Sequence, residues 1–280
     1  MIKDKLFTHT VGIIISTYNY PAWLEKTLWA YFYQSFKDFE IIIADDGSSD
    51  ETSILIKNFS EKTNMKIKHV WHEDHGFQKN RILNKAVLAS NSDYLIFTDQ
   101  DCIPRKDFVE THLKFAENGI FLSAGYFRLP SDISDEITIE DIKNQSIFDL
   151  KWLYKKGLNY NFKSTKLINS RIFSEFMNFI TPTKSSWNGC NSSCWRSDIL
   201  KINGFNEEMK YGGEDREFGE RMIFNKIKSK QIRYSAICVH LFHKRPYKDE
   251  AFIIINNEIR KQLKKSRHVI TPHGITKIKL

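Results

Sequence analysis

Cysteine is scarce in this chain: four residues in 280, at Cys102, Cys190, Cys194 and Cys238. Their spacings fit no zinc pattern, and they are too few for a disulfide scaffold. A reducing cytosol is the expected compartment. Glycine and proline are also sparse, at 12 and 6 residues, which excludes collagen-like and low-complexity chains. No apolar run reaches the ~18 residues that a membrane span needs. The opening MIKDKLFTHTVGIIISTYN carries early lysines but only a short apolar run, VGIIIS. It reads as a buried strand and not as a signal peptide. No internal repeat of fixed period is present.

What is present can pack a core. Hydrophobic residues make up 41% and aromatic residues 14%, so disorder is excluded as the main state. The net charge of +8 suits either a soluble lysine-rich surface or an anionic partner: a nucleotide, a phosphorylated lipid surface or a nucleic acid.

The first 125 residues alternate strand and helix signals. VGIIIST, FEIIIA, KIKHVW and YLIFT read as strands, and GIFLSAGYF as a further one. Between them, apolar residues recur at helical spacing after Pro21, after Asp50 (a candidate cap), around Ile82 to Val87 and from about Pro104. Such alternation predicts an α/β fold with a mostly parallel central sheet flanked by helices. Residues 130–186 break the pattern and read as a helical insertion against one sheet edge. From Trp187 short strands, a helix near Glu217 to Phe224 and a last strand from Gln231 to His240 return. The expected division is 1–125, 126–249 and a basic tail 250–280.

In such a sheet, ligands sit beyond the carboxyl ends of the strands. Those ends deliver Ser16-Thr17-Tyr18-Asn19, Asp45-Asp46-Gly47-Ser48-Ser49-Asp50 and Asp99-Gln100-Asp101. Asp99 and Asp101 point the same way along an extended segment, and two carboxylates so placed repel unless a cation lies between them. Mg2+ or Mn2+ takes such oxygen ligands and shares them with phosphates; a solvated turn is the bland alternative. One carboxylate of the Asp45-Asp46 pair can accept from a uracil imide, the other can hold local backbone, and Tyr18 can stack on a base. Later come Trp187-Asn-Gly-Cys-Asn191 and Tyr211-Gly212-Gly213-Glu214-Asp215. Acids at a helix start suit its dipole, and they can also serve as a general base. His240 and His243 end the last strand as candidate ligands.

The ordered segments IIISTYN, ADDGSSDET, DHGFQKNRILNKA, FTDQDC, NGCNSSCWRSD and GGEDREFGERM resemble a family 2 glycosyltransferase of the GT-A fold, which is Rossmann-like. The second half is similar to the galactosyltransferase C-terminal region found in bacterial chondroitin polymerases. The resemblance covers about residues 10–125 and 186–246. It implies nucleotide-sugar binding by Thr17, Tyr18, Asp45, Asp46, Arg81 and Asp99. It implies a metal, Mn2+ or Mg2+, on Asp99, Asp101 and His243, with His240 as the fallback. It implies acceptor binding by Trp187, Asn191, Tyr211, Gly213 and Glu214, and catalysis by Asp215 with Glu214. Tyr211 stands where the family often has Trp, and the insertion 130–186 matches nothing in it.

The expectation is an inverting transferase that moves a sugar from a nucleotide donor, UDP-linked, to a hydroxyl of a glycan or lipid-linked acceptor in surface polysaccharide or lipopolysaccharide synthesis. Its setting is expected to be cytoplasmic, at the inner membrane face through the basic tail, with no nucleic acid partner. The rivals are a sugar-phosphate nucleotidyltransferase and a non-catalytic module that binds an anionic surface or nucleic acid.

Overall fold

The computed structural model describes residues 8–244 and 249–277. Residues 1–7, 245–248 and 278–280, the last three belonging to the basic tail, lie outside the described residues. The first half alternates as the sequence predicts: β1 (Val11–Thr17), α1 (Pro21–Phe32), β2 (Glu40–Asp45), α2 (Asp50–Thr63), β3 (Ile67–Trp71), α3 (Lys79–Ala89) and β4 (Tyr94–Asp99). Pro21 is the first residue of α1, where its missing N–H costs nothing. Asp50 is not the cap of α2; Ser49 holds that position and Asp50 opens the helix.

A short strand that the sequence did not announce, β5 (Cys102–Pro104), precedes α4 (Phe108–Phe115), so the helix expected from Pro104 starts later. Pairing of Cys102 with His240 fixes β5 as a strand, a long-range contact invisible locally. After β6 (Ile120–Arg128), the insertion holds α5 (Ser131–Glu136), α6 (Ile139–Lys143), α7 (Leu150–Lys155) and α8 (Arg171–Ile180), with 3-10 turns at Ser146–Phe148 and Phe162–Leu167. The chain returns through β7 (Asn191–Trp195), α9 (Arg196–Lys201), α10 (Glu214–Phe224), β8 (Lys228–His240) and α11 (Glu250–Ser266).

The strands form one sheet in the order β3-β2-β1-β4-β7-β6-β8-β5. β1 to β4 run parallel, as do β6 and β8; β7 is antiparallel to both neighbours, and β5 to β8. Side chains of β1 alternate between two cores. Ile13 and Ile15 pack with Leu24, Leu28 and Tyr31 of α1, while Ile14 faces Ile82, Ala86 and Val87 of α3. A third core joins the insertion to the β5–β8 edge through Ile103, Ile133, Ile142, Leu153, Ile237 and Val239.

The pairing of β6 with β8 breaks between Ala124 and Gly125, whose partners jump from Ile232 to Ile237. Residues 233–236 therefore bulge out, and the Arg233 carbonyl lies where a Cβ on residue 125 would be, 2.0 Å away. Only glycine fits there.

Candidate active site

One cavity of about 1230 Å³ opens over the strand ends. It draws together Thr17, Tyr18, Asp46, Asp99, Asp101, Trp187, Tyr211, Gly213, Glu214, Asp215, His240 and His243, residues that span positions 17 to 243 of the chain.

On the β1 and β2 side, Asp45 is fully buried. It accepts from the Ser48 N–H (2.8 Å) and faces His69 Nε2 at 2.8 Å. It shapes the loop and does not line the cavity. Asp46 does line it, with one oxygen on His72 Nε2 (2.7 Å) and the other accepting from the Gln78 N–H (2.9 Å). Tyr18 is half exposed at the rim and donates to Asp74. Thr17 bonds the Gln100 side chain.

Arg81, expected to bind the nucleotide sugar, is exposed and does not line the cavity, whereas Lys79 does. The Lys79 ammonium lies 2.7 Å from Asp99 Oδ1, and Ser16 donates to the same oxygen. Despite burial, Asp99, Asp215 and Glu214 hold Lys79 well above its ordinary range. Both basic residues lie in GFQKNRILNKA, but on a helix they stand about 200° apart, so only one can face the cavity. The sequence could not say which.

At the end of β4, Asp101 Oδ2 meets two imidazoles: His243 Nε2 at 2.9 Å and His240 Nε2 at 3.6 Å. The rings stack, with centroids 5.3 Å apart. Each Nδ1 lies against a backbone carbonyl, His240 on Leu241 (2.6 Å) and His243 on Lys244 (2.8 Å). A donating Nδ1–H leaves the Nε2 lone pairs aimed at the carboxylate. Lone pairs facing a carboxylate need a shared positive charge, and carbonyl-oriented imidazoles are how metal ligands are usually held. Burial would raise the Asp101 carboxyl, but where the imidazoles supply that positive charge as protons, the bond from His243 and the charges of both histidines outweigh it and hold the group low. One carboxylate and two imidazoles fit a divalent cation such as Mn2+. Both histidines sit at the site, whereas Asp99 is engaged by Lys79 and Ser16.

The Gly-Gly-Glu-Asp segment supplies the remaining wall. Gly212 and Gly213 adopt φ of 110° and 96°, the left-handed region that favours glycine. Glu214 and Asp215 open α10; Glu214 accepts from the Gly212 N–H (2.7 Å) and Asp215 from the Gly189 N–H (2.9 Å). Burial, with the Asp215 charge next, raises the Glu214 carboxyl to about 7. Burial also raises Asp215, with Lys79 opposing. Trp187 is almost wholly buried among Phe97, Phe121, Phe205 and Phe218, with an indole N–H that has no partner. Asn191 is fully buried behind the cavity wall and donates to the Gly125 and Ala236 carbonyls, across the β8 bulge. Tyr211 meets Phe77 edge to face.

α11 is part of this wall. The Asn256 amide donates to the carbonyls of Lys210 (2.8 Å) and Gly212 (3.0 Å), and Arg260 pairs with Glu220 of α10. Phe252, Ile254 and Ile255 remain exposed. Among the described residues no helix is long and apolar enough to cross a membrane.

The sequence pattern of glycosyl transferase family 2 matches residues 12–176. A second pattern, the N-terminal domain of galactosyltransferase, matches residues 171–244. A validoxylamine A glucosyltransferase of Streptomyces hygroscopicus is 25% identical over 225 residues, 76% of this chain and 51% of that protein. The chondroitin synthase of Escherichia coli is 25% identical over 239 residues, 79% of this chain and 33% of that protein. The chain thus spans about half the length, or less, of these curated relatives. Among solved structures, a mannosyltransferase of Pyrobaculum calidifontis in complex with GDP-Man and Mn2+ matches with a TM-score of 0.60 at 16% identity, covering 94% of this chain and 66% of that one. TarS of S. aureus in complex with UDP-GlcNAc matches with a TM-score of 0.56 at 17% identity, covering 85% and 60%. At such identities the likeness carries the GT-A-like fold.

Proposed function

We propose, from the premise that the chain belongs to glycosyl transferase family 2, that it is an inverting transferase moving a sugar from a UDP-linked donor to a hydroxyl of a glycan or lipid-linked acceptor. The observation that carries this is the gathering of Asp46, Lys79, Asp99, Asp101, Glu214, Asp215, His240 and His243 on one cavity. Residues 1–125 would hold the nucleotide, and 126–249 the acceptor and the base.

The base is drawn from the Glu214–Asp215 pair, with Asp215 assigned to it. A carboxylate with a raised pKa takes a proton from a hydroxyl more readily near neutral pH. The deprotonated oxygen attacks the anomeric carbon in line, and the bond to the leaving diphosphate breaks. Lys79 places a positive charge beside Asp99 for that leaving group. Asp101, His240 and His243 would hold Mn2+ or Mg2+, which when bound neutralises diphosphate charge. Asp46 and the half-exposed Tyr18 would line the base pocket. The setting would be cytoplasmic, in surface-glycan synthesis.

The test is hydrolysis of a panel of UDP-sugars with Mn2+. One donor should be cleaved slowly without acceptor. No cleavage of, and no binding to, any UDP-sugar by the wild-type protein would overturn the reading.

A further inference from the structure

The cavity has a second, basic wall that the proposed chemistry does not use. Arg128 of β6, Lys166 of the 3-10 turn Phe162–Leu167 and Arg233 of the β8 bulge all line it. Arg233 is half-buried; its Nε has no hydrogen-bond partner, and its best contact is a long 3.4 Å bond to the Lys184 carbonyl. Lys166 lies over the Tyr126 ring and donates to the Tyr126 carbonyl at 3.3 Å. The ionisable groups acting on Arg233 are the Tyr126 and Tyr234 hydroxyls. On Lys166 they are Arg233, Lys163 and two buried thiols. Among the described residues no carboxylate forms an ion pair with Arg233 or Lys166. Burial, and for Lys166 the neighbouring Arg233 and Lys163, disfavours both charges. Clustered, partly buried cations without counter-charge cost free energy that an anion would return.

The wall is a built feature. The bulge that delivers Arg233 exists because residue 125 is glycine, and Asn191 bonds carbonyls on both of its strands. Tyr126 joins the wall to the cation site, its ring 5.7 Å from that of His240. The donor's phosphates already have counter-charges in Lys79 and the proposed cation.

We infer that the acceptor carries an oxyanion, phosphate or carboxylate, seated on Arg233, Lys166 and Arg128 beside the transferred sugar. This deepens the transferase reading and rests on it. Arg233, on the rigid β8 bulge, supplies a planar fork for two oxygens. Lys166 adds a point charge from the insertion; the expectation that this segment matches nothing in the family does not hold, since the two family patterns together run across it.

The test measures binding by saturation-transfer NMR with UDP and Mg2+ saturating. The probes are glucose, glucose 6-phosphate, glucuronic acid and dodecyl phosphate micelles. At least one anionic probe should bind roughly tenfold or more tighter than glucose, and Arg233→Gln and Lys166→Gln should each abolish that preference. Arg233→Lys should restore part of it. UDP affinity should stay within about twofold of wild type. Preference for the sugar anions points to a charged glycan, and preference for dodecyl phosphate to a lipid-linked acceptor. Equal or absent binding of all probes overturns the inference, as does weakening of UDP in place of the probe. Failure of UDP to bind the wild type at all would instead sink the transferase reading.

Discussion

Lys79 and Arg81 stand two residues apart, and the geometry separates their roles. Lys79→Gln removes the charge that Asp99 and the two acids of α10 share. Turnover should fall by about a hundredfold and UDP affinity about tenfold, since a buried charge partner is worth ~1.5–3 kcal/mol. Arg81→Gln should stay within about twofold, because exposed charges contribute little. Isothermal titration with UDP and Mn2+ plus initial rates would show it, and equal effects would contradict the placement. Asp215→Asn should keep UDP binding and lose transfer.

Glu214 sets a pH dependence whose sign can be worked out. In the proposed reaction the α10 pair acts deprotonated, so the rate should fall as pH drops through about 7, the value to which burial raises Glu214. Glu214→Gln should move or remove that acid limb in a pH–rate profile. For folding, Glu214 acts in the other direction. Between its ordinary 4.5 and about 7 the folded protein keeps a proton that the unfolded chain has released. Its contribution to stability therefore declines as pH rises through that window.

At the scale of elements, the β8 bulge and α11 decide whether the cavity has walls. Gly125→Ala would put a Cβ 2.0 Å from the Arg233 carbonyl, which is backbone and cannot swing aside. A loss of at least ~1–3 kcal/mol is expected in urea unfolding; a wild-type midpoint would mean the bulge yields freely. α11 was expected as a membrane-facing tail, and the structure also makes it the brace of the Gly-Gly-Glu-Asp loop through Asn256. Asn256→Ala should cut transfer roughly tenfold at little cost in UDP binding, having removed two bonds of ~1 kcal/mol each. Deleting 257–280 would therefore disturb the site as well as any membrane contact. The proposed contact with anionic vesicles is better probed by Ile254→Ser with Ile255→Ser. These residues are 69% and 52% exposed, and the double variant should pellet less with anionic vesicles at low salt. Undiminished pelleting would rule out a contact through this face.

For the whole molecule, the proposed cation links the halves of the chain. Asp101 lies in the turn between β4 and β5, and His240 and His243 arrive from the end of β8 and just beyond it. Excess chelator should abolish turnover, and Asp101→Ala should do the same while removing the thermal stabilisation that UDP with Mn2+ gives the wild type. Full turnover in chelator would exclude a metal role.

Much of this was written locally. Apolar runs such as GIIIS and YLIFT, separated by helical periods, specified the parallel half of the sheet, because backbone pairing and burial on both faces need those residues in that order. The acids after β2 and β4 were legible for the same reason: strand ends are where a parallel sheet presents its ligands. Some assignments needed the fold. Asp45 and Asn191 look like ligands but are spent on backbone and neighbouring side chains. β5 exists only through its pairing with β8. Lys79 over Arg81, both histidines on Asp101, and the Lys166–Arg233 wall were decided by helix phase, strand register and a bulge. Those are contacts between residues far apart in the chain, and local sequence carries no energy term that could have fixed them.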